Sequence, residues 1–237
     1  MARFPRLKTE HFKFYCARGM YPPKRRPVAL KGQFEDAKQK PRRHHAIKMT
    51  HFGNPVSKNR GRVYNRVTHL SWYALSGVRE PERTVVIENQ FGKEILVLGD
   101  PRLLLAPAIK QKYAKPRRAR LPIDVSHFKG YRVLHYEYHK IISVKLKDQF
   151  DRKPVTTRVY PPIFFCLPVE KWVGRKKHLM RNPREHLTIY PIMPRPYKEA
   201  RSAWDQFGGD SLRDFYARLL AVPTLKRAVR KGYKLEG

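Results

Sequence analysis

VTHLSWYAL at Val67–Leu75, TVVIENQFGKEILVLGDP at Thr84–Pro101 and LLLAPAIK at Leu103–Lys110 form the best-patterned stretch of the chain, and their order recurs on both sides. Upstream it reads EHFKFYCA, PVALKGQFED and GNPVSK; downstream it reads SHFKGYRV, ISVKLKDQFDR and FCLPVEK. His11, His69 and His127 are spaced by 58 residues each time. The pairs Gln33-Phe34, Gln90-Phe91 and Gln149-Phe150 step by 57 and 59, and Pro55, Pro107 and Pro168 by 52 and 61. A recurring period of this length marks a supersecondary unit that packs on copies of itself.

Alternation in TVVIENQF and KEILVLG, with a turn at Phe91-Gly92-Lys93, makes the unit a β structure. The expected fold class is mainly β: three tandem repeats of about 58 residues with basic linkers, then a small C-terminal α-helical segment. The divisions expected are 1–60, a β repeat with a basic insertion; 61–122, a second repeat and basic linker; 123–173, a third repeat; 174–209, an extended basic and proline-rich connector; and 210–237, the helices. In the first repeat, Glu35 to Thr50 reads as charge standing where the middle copy has a strand. At the C-terminus, Asp210-Ser211 can cap a helix with Leu212, Phe215, Tyr216, Leu219 and Leu220 on one face. Pro223 would end it, and Thr224 would start a shorter helix carrying Lys226, Arg227, Arg230 and Lys231.

The 52 Lys and Arg against 19 Asp and Glu give a net charge of +33. Such a charge on a compact body repels itself unless a polyanion neutralises it, so nucleic acid is the expected partner. Hydrophobic residues at 41% set the chain apart from a disordered basic tail. No apolar run is long enough to span a bilayer as a helix. The first ten residues carry Arg3, Arg6 and Lys8, but Pro5 and the absence of an apolar run argue against a secretory signal, while an organelle presequence stays open. Two cysteines, Cys16 and Cys166, offer no disulfide framework and fit a reducing compartment.

The charge is concentrated in segments that interrupt the repeats. Candidate RNA-binding residues are Arg25 and Arg26; Lys40, Arg42, Arg43 and His44; Arg60, Arg62 and Arg66; Lys112, Tyr113, Lys115, Arg117, Arg118 and Arg120; Arg175, Lys176 and Lys177; and Lys226, Arg227 and Arg230. Pro116 keeps the 110–122 run extended. Its guanidinium groups can each chelate a phosphate by two parallel hydrogen bonds, and Tyr113 can stack on an unpaired base. His44-His45 is a poor metal site, because adjacent side chains diverge and no cysteine stands at zinc spacing. No nucleophile–base set, paired carboxylates or phosphate loop is present, which argues against an enzyme, and no cofactor is implied.

With these motifs in view, the repeat resembles a family of unknown function that occurs in tandem in bacterial, mostly exported, proteins. Its pattern is a His-Phe/Leu-Lys-Cys-Tyr strand, a Val-x-Leu-x-Asp-Gln-Phe-Gly hairpin and a Lys-Pro-x-x-Leu-Cys-x-Pro-x-x-Lys ending, matched here from Glu10 to Lys171. The resemblance implies an architecture and no enzymatic role. It also implies that the family's two cysteine places are held by Phe14 and Gly53, Trp72 and Leu105, and Gly130 and Cys166. Packing would then replace a disulfide in a reducing environment.

The function expected is that of a structural constituent of a large ribonucleoprotein, foremost a lineage-specific ribosomal protein, mitochondrial rather than cytosolic. Its partners would be rRNA and neighbouring ribosomal proteins, with no membrane and no small-molecule substrate. The alternative is a free DNA- or RNA-binding protein serving nucleic-acid compaction or RNA processing.

Overall fold

The structure is a computed structural model and describes residues 4, 5, 7–19, 24–113 and 115–230. The first repeat contributes β1 (Phe12–Gly19), β2 (Arg26–Lys31), β3 (Arg42–Pro55) and the short β4 (Ser57–Lys58). The second contributes β5 (Thr68–Gly77), β6 (Arg83–Asn89) and β7 (Gly92–Gln111). The third contributes β8 (His127–Glu137), β9 (Ile142–Lys147), β10 (Val155–Val159), β11 (Phe164–Val173) and β12 (Lys176–His178). Two long strands follow, β13 (His186–Asp205) and β14 (Gly208–Arg230).

These last strands are a fourth repeat. His186, Gln206-Phe207, Pro223 and Lys226 stand where the earlier copies have His127, Gln149-Phe150, Pro168 and Lys171. The expected C-terminal helix is therefore corrected to a strand, and the repeats continue beyond residue 173. Lys231 lies outside the described residues, as does the side chain of Arg230.

The helical pattern misled for a physical reason. Register shifts at Pro191/Arg195 and Tyr197/Ala200 interrupt the β13–β14 ladder, and Asp214 adopts φ 53° within β14. Such irregularities change the phase of the alternation. From Leu219 to Thr224 both faces are covered, which leaves no period to read.

In every repeat the opening strand pairs with the closing one: β1 with β3, β5 with β7, β8 with β11, and β13 with β14. Each closing strand then pairs with the next opening strand: β3 with β5, β7 with β8, and β11 with β13. Finally β14 returns to β1, Leu219 opposite Phe14 and Ala221 opposite Phe12. The result is a closed antiparallel barrel of eight strands with pseudo-fourfold symmetry, a size at which side chains fill the interior.

Phe12, Phe14, Leu70, Trp72, Leu103, Leu105, Phe128, Cys166, Leu187, Ile189, Leu219 and Ala221 form one buried cluster that runs through the barrel interior. The implied pairs meet as expected: Phe14 opposite Gly53, Trp72 opposite Leu105, Gly130 opposite Cys166. Ile189 opposite Ala221 is the fourth. Cys166 is buried and free.

The middle strand of each repeat leaves the barrel and forms an outer layer. It pairs with the tail of the repeat on the opposite side: β2 with β11, β6 with β14, β9 with β4, and the end of β13 with the end of β7. Three further clusters lie outside the barrel interior: Val85, Ile87, Leu96 and Leu98 on Phe165 and Leu167; Val144, Leu146 and Val159 on Tyr190, Ile192, Leu220 and Val222; and a larger one that joins Val28, Leu30 and Ala203 to Tyr15, Phe52, Tyr73 and Phe215.

Three contacts repeat around the cycle and lock it. The Pro-x-x-Lys lysine packs on the Gln-Phe ring of the following repeat: Lys58 on Phe91, Lys110 on Phe150, Lys171 on Phe207, and Lys226 on Phe34, at 5.0, 4.5, 4.3 and 5.0 Å. The opening histidine meets the next repeat's glutamine: His11 with Gln90, His69 with Gln149, His127 with Gln206, and His186 with Gln33. The tyrosine four residues after it reaches across, Tyr15 to Asp148, Tyr73 to Asp205 and Tyr190 to Asn89, at 2.6–2.7 Å.

Candidate nucleic-acid interface

The basic linkers are the segments that join one repeat's lysine to the next repeat's histidine, so the topology sends them all to one end of the barrel. There the segments before the four histidines meet, with Lys8–Glu10, Tyr64–Thr68, Asp124–Val125 and Arg181–Asn182 lining one cleft. Each is pinned by the residue preceding a histidine. Glu10 accepts hydrogen bonds from the backbone of Tyr64 and Asn65 at 2.7 and 3.0 Å. Thr68 donates to Asp124 at 3.1 Å. Ser126 accepts from the backbone of Arg181 and Asn182, and Glu185 from that of Lys8 and Thr9. Two of the linkers are thus held by backbone amides and the one before His127 by the Asp124 side chain, while their cations lie at the surface.

Of the linker candidates, Arg60, Arg62, Arg66, Lys112, Tyr113, Lys115, Arg117, Arg118, Arg120, Arg175, Lys176 and Lys177 are all exposed at the surface. In the second linker Gln111 holds the backbone of Arg117 by two bonds, 2.7 Å to its carbonyl and 2.8 Å from its amide. This closes a loop over which the Arg117 guanidinium stacks on Tyr113 at 4.3 Å. Arg62 stacks likewise on Tyr64 at 5.1 Å. A guanidinium stacked on a ring can still direct its N–H donors at a phosphate. Lys177 lies 2.9 Å from Glu170 and packs on Trp172.

The other candidates divide. Arg25, Lys40 and Arg43 lie at the surface of the first hairpin. Arg26 donates to the carbonyl of Phe207 and covers its ring, and Arg42 lies 3.8 Å from Glu35. Lys226 is tied to Phe34, and Arg227 bonds Glu88 at 2.6 Å. His44 is a correction. Residues 42–55 form a continuous strand, not a charged insertion, and its alternation turns His44 inward to 1% exposure between outward Arg43 and His45. Burial and the nearby Lys129 push its pKa down to about 4, so it offers no charge to a phosphate.

Burial also sharpens the surface charge. Glu35, Glu80, Glu94, Asp148, Asp151, Glu185 and Asp205 are buried, against Lys13, Lys129 and Lys171. The interior thereby withdraws more negative than positive charge, and the outside is more basic than the net charge states.

The arrangement closest to an enzyme site is Lys13 with Asp148, Asp151, Tyr15 and Tyr197, beside a cavity of about 150 Å³. Its carboxylates are occupied. Asp148 accepts from Tyr15 at 2.6 Å and Asn54 at 3.1 Å and lies 3.3 Å from the Lys13 amine, while Asp151 takes Lys13, Tyr197 and the Asp148 amide. Burial holds Asp148 above the usual carboxylate range against the pull of Lys13. For Asp151 burial pulls upward too, but Lys13 and Tyr197 outweigh it and its pKa is lowered. Lys129 with Glu35 and Glu80 repeats the theme on the opposite side. Both braces fasten hairpins to the barrel. Among the described residues, no group of three or more His, Cys, Asp or Glu is placed to hold a metal, and no helix is long and apolar enough to cross a membrane.

Comparison with curated proteins and with solved structures finds no match. The sequence profile of one family, described as a repeat of unknown function, matches residues 69–223. Those limits coincide with His69, which opens the second repeat, and Pro223, which marks the end of the fourth. The chain belongs to this family of repeats of unknown function, DUF7450.

Proposed function

We propose that the protein is a non-enzymatic RNA-binding scaffold of a large ribonucleoprotein, in which the barrel positions three basic linkers against the phosphate backbone. The single observation that carries this reading is the set of exposed cations gathered by the linkers at one end of a braced body. Backbone contacts of this kind fix position and orientation without reading sequence. Within that class we place a ribosomal protein first, with the mitochondrial ribosome before the cytosolic one and rRNA and neighbouring ribosomal proteins as partners. The extreme charge and the extended linkers support a place in a ribonucleoprotein, and the free cysteines fit a reducing compartment.

Sedimentation of a tagged copy through a density gradient, with and without RNase, tests the proposal. Comigration with one ribosomal subunit, lost on RNase treatment, is the expected result. A slow peak indifferent to RNase would overturn it.

A further inference from the structure

The barrel end carries two symmetry-related grooves, one around His11, bounded by the segment before β1 and one linker, and one around His127, bounded by two linkers, each reaching the tip of a hairpin. The first, of about 700 Å³, includes Glu10, Lys58, Arg62 and Tyr64 and runs to Gln90. The second, of about 770 Å³, lies between Arg118 and Arg120 of one linker and Lys176, Lys177 and Arg181 of the other, with Trp204 and Phe207 from the fourth hairpin. The scaffold is the same but the chemistry has diverged. Glu10 of the first groove is replaced by Ser126 at the equivalent place, and Glu88, two residues before Gln90, corresponds to Trp204. The carboxylate in the second lining, Asp205, is buried and already accepts from Tyr73 and from the Phe207 amide, each at 2.7 Å.

We infer that this second groove takes an unpaired stretch of RNA, its phosphates between the two basic walls and a base against Trp204. The inference rests on the RNA-binding reading and names the form of RNA at this place. A basic channel with an aromatic platform is how single strands are held without sequence preference, because every base has a stacking face. The volume suits the matter too. It falls in the range of roughly 300–1,000 Å³ that encloses small ligands, a size that suits a short stretch of one strand.

The test uses the full chain with a labelled U12 oligoribonucleotide, the same strand annealed to A12, and polyglutamate as competitor. U12 should bind at least about tenfold more tightly than the duplex and quench tryptophan fluorescence. Trp204→Leu should abolish that quenching and weaken U12 binding by about tenfold, a size expected when one stacking ring is removed, with little change for duplex. Because Trp204→Leu could disturb the hairpin, Arg118→Gln with Arg120→Gln provides a second variant on a surface linker, expected to weaken U12 binding by a similar factor. Equal affinity for duplex, competition by polyglutamate as strong as by U12, or unchanged U12 binding in the double variant would overturn the groove assignment while leaving RNA binding intact. Failure of both nucleic acids to bind would remove the RNA-binding reading as well.

Discussion

The ammonium group of Lys226, in the last repeat, lies 5.0 Å from the centre of the Phe34 ring in the first. It is the same contact that Lys58, Lys110 and Lys171 make with Phe91, Phe150 and Phe207. A contact that continues across the chain ends in the register of the internal ones makes the molecule a cycle interrupted by its termini. Deleting residues 208–237 should therefore abolish cooperative folding, because it opens the barrel and β1, β6 and β13 each lose the strand that pairs along one of their edges. A circular permutant opened at Arg60, with the old ends joined by a flexible linker, should keep one cooperative unfolding transition by circular dichroism.

The pair Phe14 and Gly53 sets a volume limit inside the barrel. A Cβ added at Gly53 would come 2.7 Å from Phe14 Cε1. Gly53→Ala should destabilise by roughly 1–3 kcal/mol, the cost of overfilling a core. Phe14→Leu in the same chain should recover part of it, as chemical denaturation would reveal. Trp72→Ala, which empties a site only 6% exposed, should cost roughly 3–5 kcal/mol.

The opening histidines predict acid sensitivity. Burial, with the lysine of the same repeat adding to it, pushes His11, His69 and His186 down to about 3, and holds His127 well below its usual value. These groups are neutral in the folded chain and protonate near pH 6.5 when unfolded. Their stability contribution is therefore complete above about pH 6.5 and is lost as pH falls toward 3. His69→Gln should reduce the slope of unfolding free energy against pH near pH 5 by about one proton, roughly 1.4 kcal/mol per pH unit. A slope identical to that of the parent chain would contradict this.

RNA affinity should fall steeply with salt. Replacing Lys115, Arg117, Arg118 and Arg120 by Ala should lower the slope of log K against log salt by about 0.7–0.9 for each phosphate no longer neutralised. A filter-binding titration from low to moderate salt measures it. An unchanged slope would mean that this linker is merely solvated.

The barrel is largely legible in the sequence because the signals that build it are short and local. A histidine, a Gln-Phe pair and a proline recur at a spacing that survives insertions, and the family pattern correctly places Phe14, Trp72 and Gly130 opposite Gly53, Leu105 and Cys166. The fourth repeat carries the same landmarks at His186, Phe207 and Pro223. It is obscured because β13 and β14 run through their bulges as two long strands, and because LLAVPT at 219–224 is buried on both faces. His44 is unreadable in another way. In a strand dense with Arg and His, composition cannot say which face is inward; only the register against β5, where His44 lies opposite Gly77, decides it. The interface residues are legible as cations, whereas their convergence requires knowing that the linkers all leave the same end of a closed barrel.

Ultraviolet crosslinking of the tagged protein to RNA in living cells, followed by mass spectrometry of the adducted peptides, tests RNA binding by the linkers most directly. RNA adducts should concentrate on the linker peptides that contain Tyr64 and Tyr113 and on the 174–185 segment. Adducts absent altogether, or confined to the outer-layer hairpins around Lys145 and Lys147, would contradict a scaffold that presents its linkers to RNA.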